Sequence, residues 1–457
     1  MPTAAPIIEN EKQAVAAASS PRRGIKHIVL EAVIASAAAI LILEILFTLA
    51  GVGEHEYLRV DKSLGFVAME NRHVTWRKEG FGRIQFNSQG MNDIERPFAK
   101  PANTFRIAIV GDSFVESLQV DRSQNFLSLL ERDLNAKYGK SGRRIEVLNF
   151  GCSANSLGQF YKKIRTKVMG YEPDVVLIGV SVDATKLLAP LQGGFAFANA
   201  RPTFLLDKQG KLVEDWQIFN WWNHSPDGKR FANTEFLRRH SHIWGAIGTM
   251  MGSYSAWCAD LQAGKVWGWG SVNLGAAKST APALAKLATS PNTAGATSPN
   301  TAGATSQDTA GNARARAEKN AKYTGPVSAP FMEQSSSSVN AIPQAQGDVD
   351  AATRQYWPIA DRLIRAMNED CIAHHCRFAI VRLPARPEIG YDNPPETKNL
   401  EALSSQLKIP YCNLTPAFLN APKQTALIFS VHMTAAGHQL TYKELEPFIE
   451  RNKLAGN

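Results

Sequence analysis

The 457-residue sequence lacks a concentrated positive charge. Charged residues make up 20% of the chain, and the net charge of +9 is not gathered into a block of lysine and arginine. There is also no basic stripe with interleaved aromatic residues, so we predict no nucleic-acid partner. The hydrophobic content of 44% is typical of a globular protein, and the length allows one large or two ordinary domains.

Cysteines are few and odd in number. The five are Cys152, Cys258, Cys371, Cys376 and Cys412, so at least one has no partner within the chain. Two histidines lie between Cys371 and Cys376, but no second pair of ligands follows elsewhere, and we predict neither a metal site nor a cofactor. A disulfide between two of the last three cysteines is expected if the domain is exported.

One hydrophobic run is long enough to cross a membrane. It extends from Ile28 to about Gly53, and such a run of roughly 25 residues can span a hydrocarbon core of about 30 Å. Glu31 and Glu44 are its charged interruptions, and Glu44 requires protonation, a partner or snorkelling. Because the apolar region of a cleaved signal peptide is only about 7–15 residues, we predict an uncleaved anchor.

The charges beside this run predict its orientation. Arg22, Arg23 and Lys26 lie on the N-terminal side. Since positive flanks stay in the cytoplasm, residues 1–24 form a cytoplasmic tail and the chain after about residue 53 lies outside.

The stretch from Phe105 to Val120 organises the remainder of the chain. A short apolar strand leads into Gly111-Asp112-Ser113-Phe114, and leucine and phenylalanine residues at helical spacing follow. Gly111 allows a sharp turn, and Ser113 then lies at the carboxyl end of a strand and near the positive end of a helix. A polar turn without chemical function has the same three-residue pattern.

The flanking sequence resembles the SGNH (GDSL-type) hydrolases. The resemblance lies in Phe86-Asn87-Ser88-Gln89-Gly90, in Thr104-Phe105-Arg106-Ile107 and in the Gly-Asp-Ser-Phe turn. In particular, it is similar to bacterial members with an N-terminal membrane helix that are associated with acylation of surface polysaccharides. The resemblance implies a flavodoxin-like sheet, an esterase or acyl-transferring activity, and Ser113 as the nucleophile.

Three further family blocks can be located, and the third and fourth depart from the pattern. The resemblance implies that His432 is the base and that Gly151 offers its backbone N–H to an oxyanion, although a strand-end turn also explains this glycine. In the third block Val182 stands where the family has an asparagine amide, and Asp183 keeps the block's last position. In the fourth block Ser430 stands where the family has an acid two residues before the histidine.

The rest of the chain alternates strands with helices. Strands are predicted at 145–150, 173–181, 377–383 and 411–414, which indicates an α/β fold with a doubly wound parallel sheet. Residues 54–103 read as irregular with one short strand at 83–86, and residues 201–212 read as a hairpin. The predicted organisation is a tail at 1–24, an anchor at 25–53, a lead-in at 54–103, the first part of the SGNH-like domain at 104–215, a tryptophan-rich insertion at 216–275, a disordered segment at 276–350, and the second part of the domain at 351–457.

Two stretches between residues 216 and 350 have an unusual amino-acid composition. Seven of the nine tryptophans lie between Trp216 and Trp269, where they could stack on sugar rings; a packed helical cap or a membrane-facing surface is the favoured interpretation. Residues 289–312 form three octapeptide units rich in Thr, Pro, Gly and Ala. This composition cannot bury a core, so we predict a partly disordered insertion.

Two functions from different classes fit these observations. The first is a single-pass protein of the bacterial inner membrane whose periplasmic domain is an esterase or O-acyltransferase. It would use Ser113 and His432 on acyl groups of a surface polysaccharide or another ester. The second is a non-catalytic scaffold or glycan-binding protein that works with partner proteins of envelope assembly.

Overall fold

A computed structural model describes residues 24–53, 56–77, 79–139, 142–181, 188, 200–248, 250, 346–384, 395–423, 426–429 and 431–455. The first element, α1, is the apolar helix Ile25–Ala50, whose side chains are almost all exposed. Its 26 residues measure about 39 Å, and it is the one helix of the described residues that is long and apolar enough to cross a membrane. Gly51 ends the helix in the left-handed conformation, with nearby N–H groups returning to the Phe47 and Thr48 carbonyls.

The lead-in between the anchor and the main sheet is more ordered than the sequence predicts. It contains two antiparallel pairs, β1 (Leu58–Asp61) with β2 (Gly65–Ala68), and β3 (His73–Trp76) with β4 (Gly82–Gln85). The prediction of a single strand is wrong because four-residue strands are too short to show clear alternation in the sequence. What stabilises them is a separate apolar cluster that includes Tyr57, Phe66, Trp76 and Phe86.

Five strands form a parallel sheet and confirm the predicted fold. They are β5 (Thr104–Gly111), β6 (Arg144–Gly151), β7 (Val175–Val180), β10 (Arg377–Arg382) and β11 (Tyr411–Asn413). Their spatial order is β11-β10-β7-β5-β6, which is the flavodoxin-like order 2-1-3-4-5. Gly111 of β5 pairs with Gly151 of β6 and Gly179 of β7, so the carboxyl ends of these strands meet at one edge.

Helices cover both faces of this sheet, which explains why its strands are almost continuously apolar. The helices, in chain order with the short connecting ones, are α2 (Ser113–Glu116), α3 (Phe126–Tyr138), α4 (Leu157–Thr166), α5 (Gln217–His224), α6 (Pro226–Asn233), α7 (Glu235–His240), α8 (Gln346–Ala373), α9 (Pro395–Leu407), α10 (Thr415–Leu419) and α11 (Ala435–Arg451). The apolar residues of α3 and α11 share one buried cluster, and those of α4, α8 and α9 share the other. Helix starts follow side-chain caps, such as Asn125 on α3 and the Ser156–Gln159 capping box on α4.

The hairpin predicted at 201–212 is present before the insertion and consists of β8 (Thr203–Leu206) and β9 (Leu212–Asp215). The short helices α5, α6 and α7 follow, and residues 242–248 are helical again. Trp222 is buried and Trp221 is exposed. The octapeptide units and the predicted disordered segment lie outside the described residues, except that α8 begins at Gln346 rather than at 351.

The cysteines that the structure describes are free thiols. Cys152, Cys371 and Cys376 are buried and Cys412 is partly buried, so the disulfide expected among the last three is not formed. Cys371 and Cys376 are nevertheless hydrogen-bonded neighbours, and the Cys376 thiol and burial raise the pKa of Cys371. Cys258 lies outside the described residues.

Candidate active site

Ser113 lies where β5 ends and the short helix α2 begins. The Asp112 side chain caps this helix by accepting from the Phe114 N–H at 3.0 Å, and the Asp112 carbonyl accepts from Val115 and Glu116. Gly111 is required for this tight turn because a Cβ there would lie 2.2 Å from Val115 Cγ2. Ser113 is partly exposed while Phe114, Val115 and Glu116 are buried, so the hydroxyl faces outward from a well-packed turn.

Ser181 holds the same turn from the neighbouring strand. Its buried hydroxyl, directly after β7, donates to the second carboxylate oxygen of Asp112. Asp112 is therefore restrained by both α2 and β7, which leaves the nucleophile turn little freedom to move.

His432 approaches Ser113 from the far end of the chain. It lies in a turn in which the Phe429 N–H donates to the His432 carbonyl at 2.8 Å, just before α11. Its Nε2 is 2.7 Å from Ser113 Oγ, and its ring packs against Phe114 with centroids 5.2 Å apart. The distance is a hydrogen bond of the kind that lets an imidazole take the hydroxyl proton.

Glu79 completes the arrangement and was not a candidate in the sequence analysis. One carboxylate oxygen is 2.6 Å from His432 Nδ1, and the other accepts from the backbone N–H groups of Val431 and His432. Burial by itself would raise the pKa of Glu79, but the hydrogen bond and charge of His432 and these two N–H groups lower the pKa to about 2. Glu79 is therefore ionised at neutral pH and holds the His432 ring in one orientation.

The turn that carries Glu79 depends on Gly80. Gly80 has φ +73°, and a Cβ there would lie 2.4 Å from the Gln119 carbonyl and 2.7 Å from the Phe429 ring. Only glycine accommodates this close approach and this backbone conformation. The Glu-Gly pair before β4 carries no signal that sequence reading could have used, because Glu79 lies 353 residues from His432.

The sequence analysis looked for the acid beside His432 at position 430. In the structure the carboxylate beside His432 Nδ1 is that of Glu79. Ser430 itself lies outside the described residues, as do Val182 and Asp183 of the third block. The sequence suggested that the uncharged hydroxyl of Ser430 orients the imidazole of His432. The structure instead has a carboxylate at His432 Nδ1. The physical difference is that a carboxylate stabilises the imidazolium by charge.

Gly151 has a packing role rather than the donor role expected of it. Its N–H donates to Asn149 Oδ1 at 2.9 Å and is therefore already engaged. A Cβ on Gly151 would lie 2.1 Å from the Glu116 backbone nitrogen, so glycine here lets α2 pack directly on β6. In the turn that carries Ser113, the N–H groups of Phe114, Val115 and Glu116 are bonded to Asp112, whereas the Ser113 N–H has no hydrogen bond within the part of the chain that the structure describes.

Hydrogen bonds to the buried Glu116 side chain hold α2 in place. Glu116 accepts from the Tyr57 hydroxyl at 2.9 Å and from the Ser153 N–H at 2.8 Å. Its complete burial raises the pKa of Glu116 to about 7, even though the bonds from Ser153 and Tyr57 lower it. Glu116 thereby ties the nucleophile helix to the lead-in and to the loop after β6.

His438, six residues after the candidate base, is structural. It is buried in α11 and stacks on Phe126 with centroids 5.9 Å apart. Burial and the nearby His432 lower the pKa of His438 to about 3, so it is neutral at ordinary pH. Within the part of the chain that the structure describes, no cluster of three or more His, Cys, Asp or Glu side chains is placed to hold a metal.

Comparison with solved structures returns GDSL-type lipases, acylhydrolases and esterases. One is a lipase/acylhydrolase from Enterococcus faecalis, with 10% identity over 76% of this chain and 95% of that one and a TM-score of 0.33. Another is a catalytic mutant of an acetylxylan esterase from Geobacillus stearothermophilus, with 8% identity over 76% and 94% and a TM-score of 0.32. A GDSL-like lipase from Bacteroides thetaiotaomicron has 10% identity over 77% and 92% and a TM-score of 0.28.

No protein-family model matches the chain, and no curated protein sequence matches it. At TM-scores near 0.3 the likeness to any of these solved structures is low. The fold assignment therefore rests on the strand order, and the site assignment rests on the chain's own geometry. That geometry is a serine, a histidine and a glutamate joined by hydrogen bonds at the carboxyl edge of a flavodoxin-like sheet.

Proposed function

We propose that the protein is a membrane-anchored, extracytoplasmic serine esterase or O-acyltransferase acting on acyl groups of a cell-surface polysaccharide. The observation that carries the proposal is the continuous chain of hydrogen bonds Ser113–His432–Glu79, with distances of 2.7 and 2.6 Å. Nucleophile, base and orienting acid are the three roles that serine-dependent acyl transfer requires.

The first half of the reaction forms an acyl-enzyme. Ser113 Oγ attacks the ester carbonyl while His432 Nε2 takes the hydroxyl proton, and Glu79 stabilises the imidazolium that results. The carbonyl oxygen becomes an oxyanion beside the Ser113 N–H at the start of α2. Collapse of the tetrahedral intermediate breaks the ester C–O bond, and His432 returns the proton to the leaving alcohol.

The second half of the reaction determines whether the outcome is hydrolysis or acyl transfer. His432 takes a proton from an incoming hydroxyl while the oxygen of that hydroxyl attacks the acyl carbonyl on Ser113. The acyl C–Oγ bond then breaks, and His432 returns the proton to Ser113 Oγ. Water as the acceptor gives a carboxylic acid, and a sugar hydroxyl gives a new ester. Both outcomes use the same three residues, so the acceptor that reaches the site determines the activity.

The membrane context supports a substrate at the cell surface. Helix α1 is long and apolar enough to span a bilayer. Directly beyond it, the Arg77 guanidinium donates to the Ala50 carbonyl at the helix end at 3.3 Å, and Glu79 lies two residues further along the chain. The proposed site is therefore tethered close to the end of the anchor, where acylated polymers emerging at the membrane would be met.

A non-catalytic scaffold is the competing function, and Val182 is the residue that favours it. A valine supplies no amide donor to an oxyanion, and loss of one such donor costs about 3–4 kcal/mol in the barrier. A scaffold would retain the fold and bind glycan without an activated serine. The two functions therefore differ in the reactivity of Ser113.

Labelling with a fluorophosphonate probe tests this difference without knowledge of the substrate. We expect the purified full-length protein to be labelled at Ser113, because the His432 hydrogen bond activates the hydroxyl. Ser113→Ala should abolish labelling, while the matched change Ser117→Ala, at the end of the same helix, should retain it. Absence of labelling in protein that melts cooperatively would favour the scaffold.

The orientation of the anchor is tested separately by fusion to alkaline phosphatase. The positive charges of Arg22, Arg23 and Lys26 predict a cytoplasmic N-terminus. We expect fusions after Val60 to be active and fusions after Arg23 to be inactive, since the enzyme folds only outside the cytoplasm. The reverse pattern would contradict the proposed location.

A further inference from the structure

Glu44 is a carboxylate inside the apolar helix α1, and its partners come from a distant part of the chain. Its oxygens accept from the Ser241 hydroxyl at 2.9 Å, from the Ile243 N–H at 3.2 Å and from the His242 N–H. The His242 ring nitrogen Nδ1 is also 3.1 Å from the carboxylate. Residues 241–243 begin the helical stretch 242–248, so Glu44 acts as a cap supplied by α1.

A second set of contacts brings the two segments together at the backbone level. A Cβ on Gly245 would lie 2.1 Å from the Gly53 carbonyl oxygen, and a Cβ on Gly53 would lie 2.2 Å from the His242 carbonyl oxygen. The Thr48 hydroxyl also lies 3.0 Å from His242 Nδ1. The described residues 241–248 and 250, here called the contact segment, therefore begin beside the last two turns of α1 and the turn that ends it.

The position of Glu44 along α1 determines how far below the end of this helix the contact segment begins. Glu44 precedes the end of α1 by six residues, which corresponds to about 9 Å along the helix. A carboxylate at this level of an apolar helix is costly unless it is paired and hydrogen-bonded. Because its partners are Ser241, His242 and Ile243, the start of the contact segment must lie at the same level as Glu44.

Apolar side chains of this region are exposed rather than packed into the domain. Met250 is 72% exposed and Ile247 is 43% exposed, and Phe236 in the preceding helix α7 is also exposed. Trp244, a residue type favoured at membrane interfaces, lies in the same segment. Ile247 and Met250 follow closely after Gly245, which lies against Gly53 at the end of α1, so exposed apolar side chains occur near the C-terminal end of the anchor.

We propose that the contact segment is a second membrane-binding element, which lies in the headgroup region of the bilayer and inserts Ile247 and Met250 beside α1. The occupant of this surface is lipid, because the contact segment begins against the helix that the proposed function places in the membrane. The inference rests on that part of the proposed function. Binding of the contact segment to lipid holds the domain at a fixed distance from the bilayer surface, which is the role that the proposal gives to the insertion.

Site-specific photocrosslinking in the full-length protein, reconstituted into phosphatidylglycerol/phosphatidylethanolamine nanodiscs, tests the proposal. The photoreactive residue p-benzoyl-phenylalanine replaces Met250, Ile247, Val213 or Ile40 in separate variants, each of which must keep the melting temperature of the unmodified protein. Val213 in β9 is the matched control because its exposure, 43%, equals that of Ile247. Ile40 in α1 reports whether the anchor itself is in lipid.

We expect lipid adducts by mass spectrometry at positions 250, 247 and 40 and none at 213. Adducts at 40 without adducts at 247 and 250 would overturn the second membrane element and leave the anchor intact. Absence of adducts at 40 would instead overturn the anchor, and with it the basis of the inference. Equal adducts at 213 and 247 would also overturn the proposal, because contact would then be unspecific.

Discussion

Replacing Glu79 by glutamine is expected to lower kcat for a small activated ester by about 10⁴, the loss seen when the triad carboxylate of a serine protease becomes an amide. The glutamine is nearly isosteric, so it can remain beside His432 Nδ1, but it carries no charge to stabilise the imidazolium. It can also present its amide nitrogen and favour the wrong ring tautomer. We expect KM to change little, because Glu79 contacts His432 and not the substrate. Steady-state kinetics on the purified protein measure both parameters.

A matched control comes from the same lead-in. Glu70→Gln removes a carboxylate that pairs with Arg59 and Arg239 and makes no contact with His432, so kcat should stay unchanged. Ser430→Asp should likewise have no effect while Glu79 is present, because Nδ1 already has a charged acceptor. If Glu79→Gln retained full activity and Ser430→Asp raised it, the orienting residue would be at 430 after all.

The pH dependence of stability follows from the same residue. Because the pKa of Glu79 is lowered from 4.5 to about 2 in the folded protein, the unfolded chain binds the proton more readily. The stabilisation is therefore complete above the unfolded pKa and is lost as pH falls toward 2. Glu79→Gln should consequently destabilise the protein at neutral pH and make a smaller difference in acid.

Replacing Arg106 by methionine is expected to destabilise the protein by about 3–5 kcal/mol, the cost of breaking a buried ion pair from one side. Arg106 is fully buried in β5 and its Nε donates to Glu146 at 2.9 Å. Its other nitrogens donate to the carbonyls of Pro97, Phe98 and Tyr171 at 2.7–2.8 Å. The substitution leaves one carboxylate without its main partner and three carbonyls without a donor. A loss of this size lowers Tm by about 10 °C in a domain of this length.

The matched control is Arg132→Met, since Arg132 is 62% exposed and pairs with the adjacent Asp133. Exposed pairs contribute about 0–1 kcal/mol, so Tm should hardly change. Adding Glu146→Leu to Arg106→Met should recover part of the loss, because it removes a buried carboxylate that has lost its main partner. An equal Tm for the Arg106 and Arg132 variants, measured by thermal unfolding, would show that the buried network does not stabilise the fold.

The amino-acid sequence alone was sufficient for features that depend on neighbouring residues. The strands β5, β6, β7 and β10 are buried on both faces and are therefore mostly apolar in sequence. The turn with Ser113 was evident because strand, glycine and helix are adjacent along the chain. His432 was suggested by the resemblance of the short motif directly before α11 to the last block of the SGNH hydrolases. The alternation of strands and helices then restricted the fold to a doubly wound sheet.

Relations between distant residues required the three-dimensional arrangement. Glu79 reaches His432 across 353 residues, and no local pattern marks a lone Glu-Gly pair as part of a site. The engagement of the Gly151 N–H depends on where the Asn149 side chain points, which the sequence does not specify. Glu44 found its partners almost 200 residues later, where the sequence could offer only the alternatives of protonation, pairing or snorkelling. Local patterns report which side of a segment is buried, whereas hydrogen bonds between segments depend on the path of the whole chain.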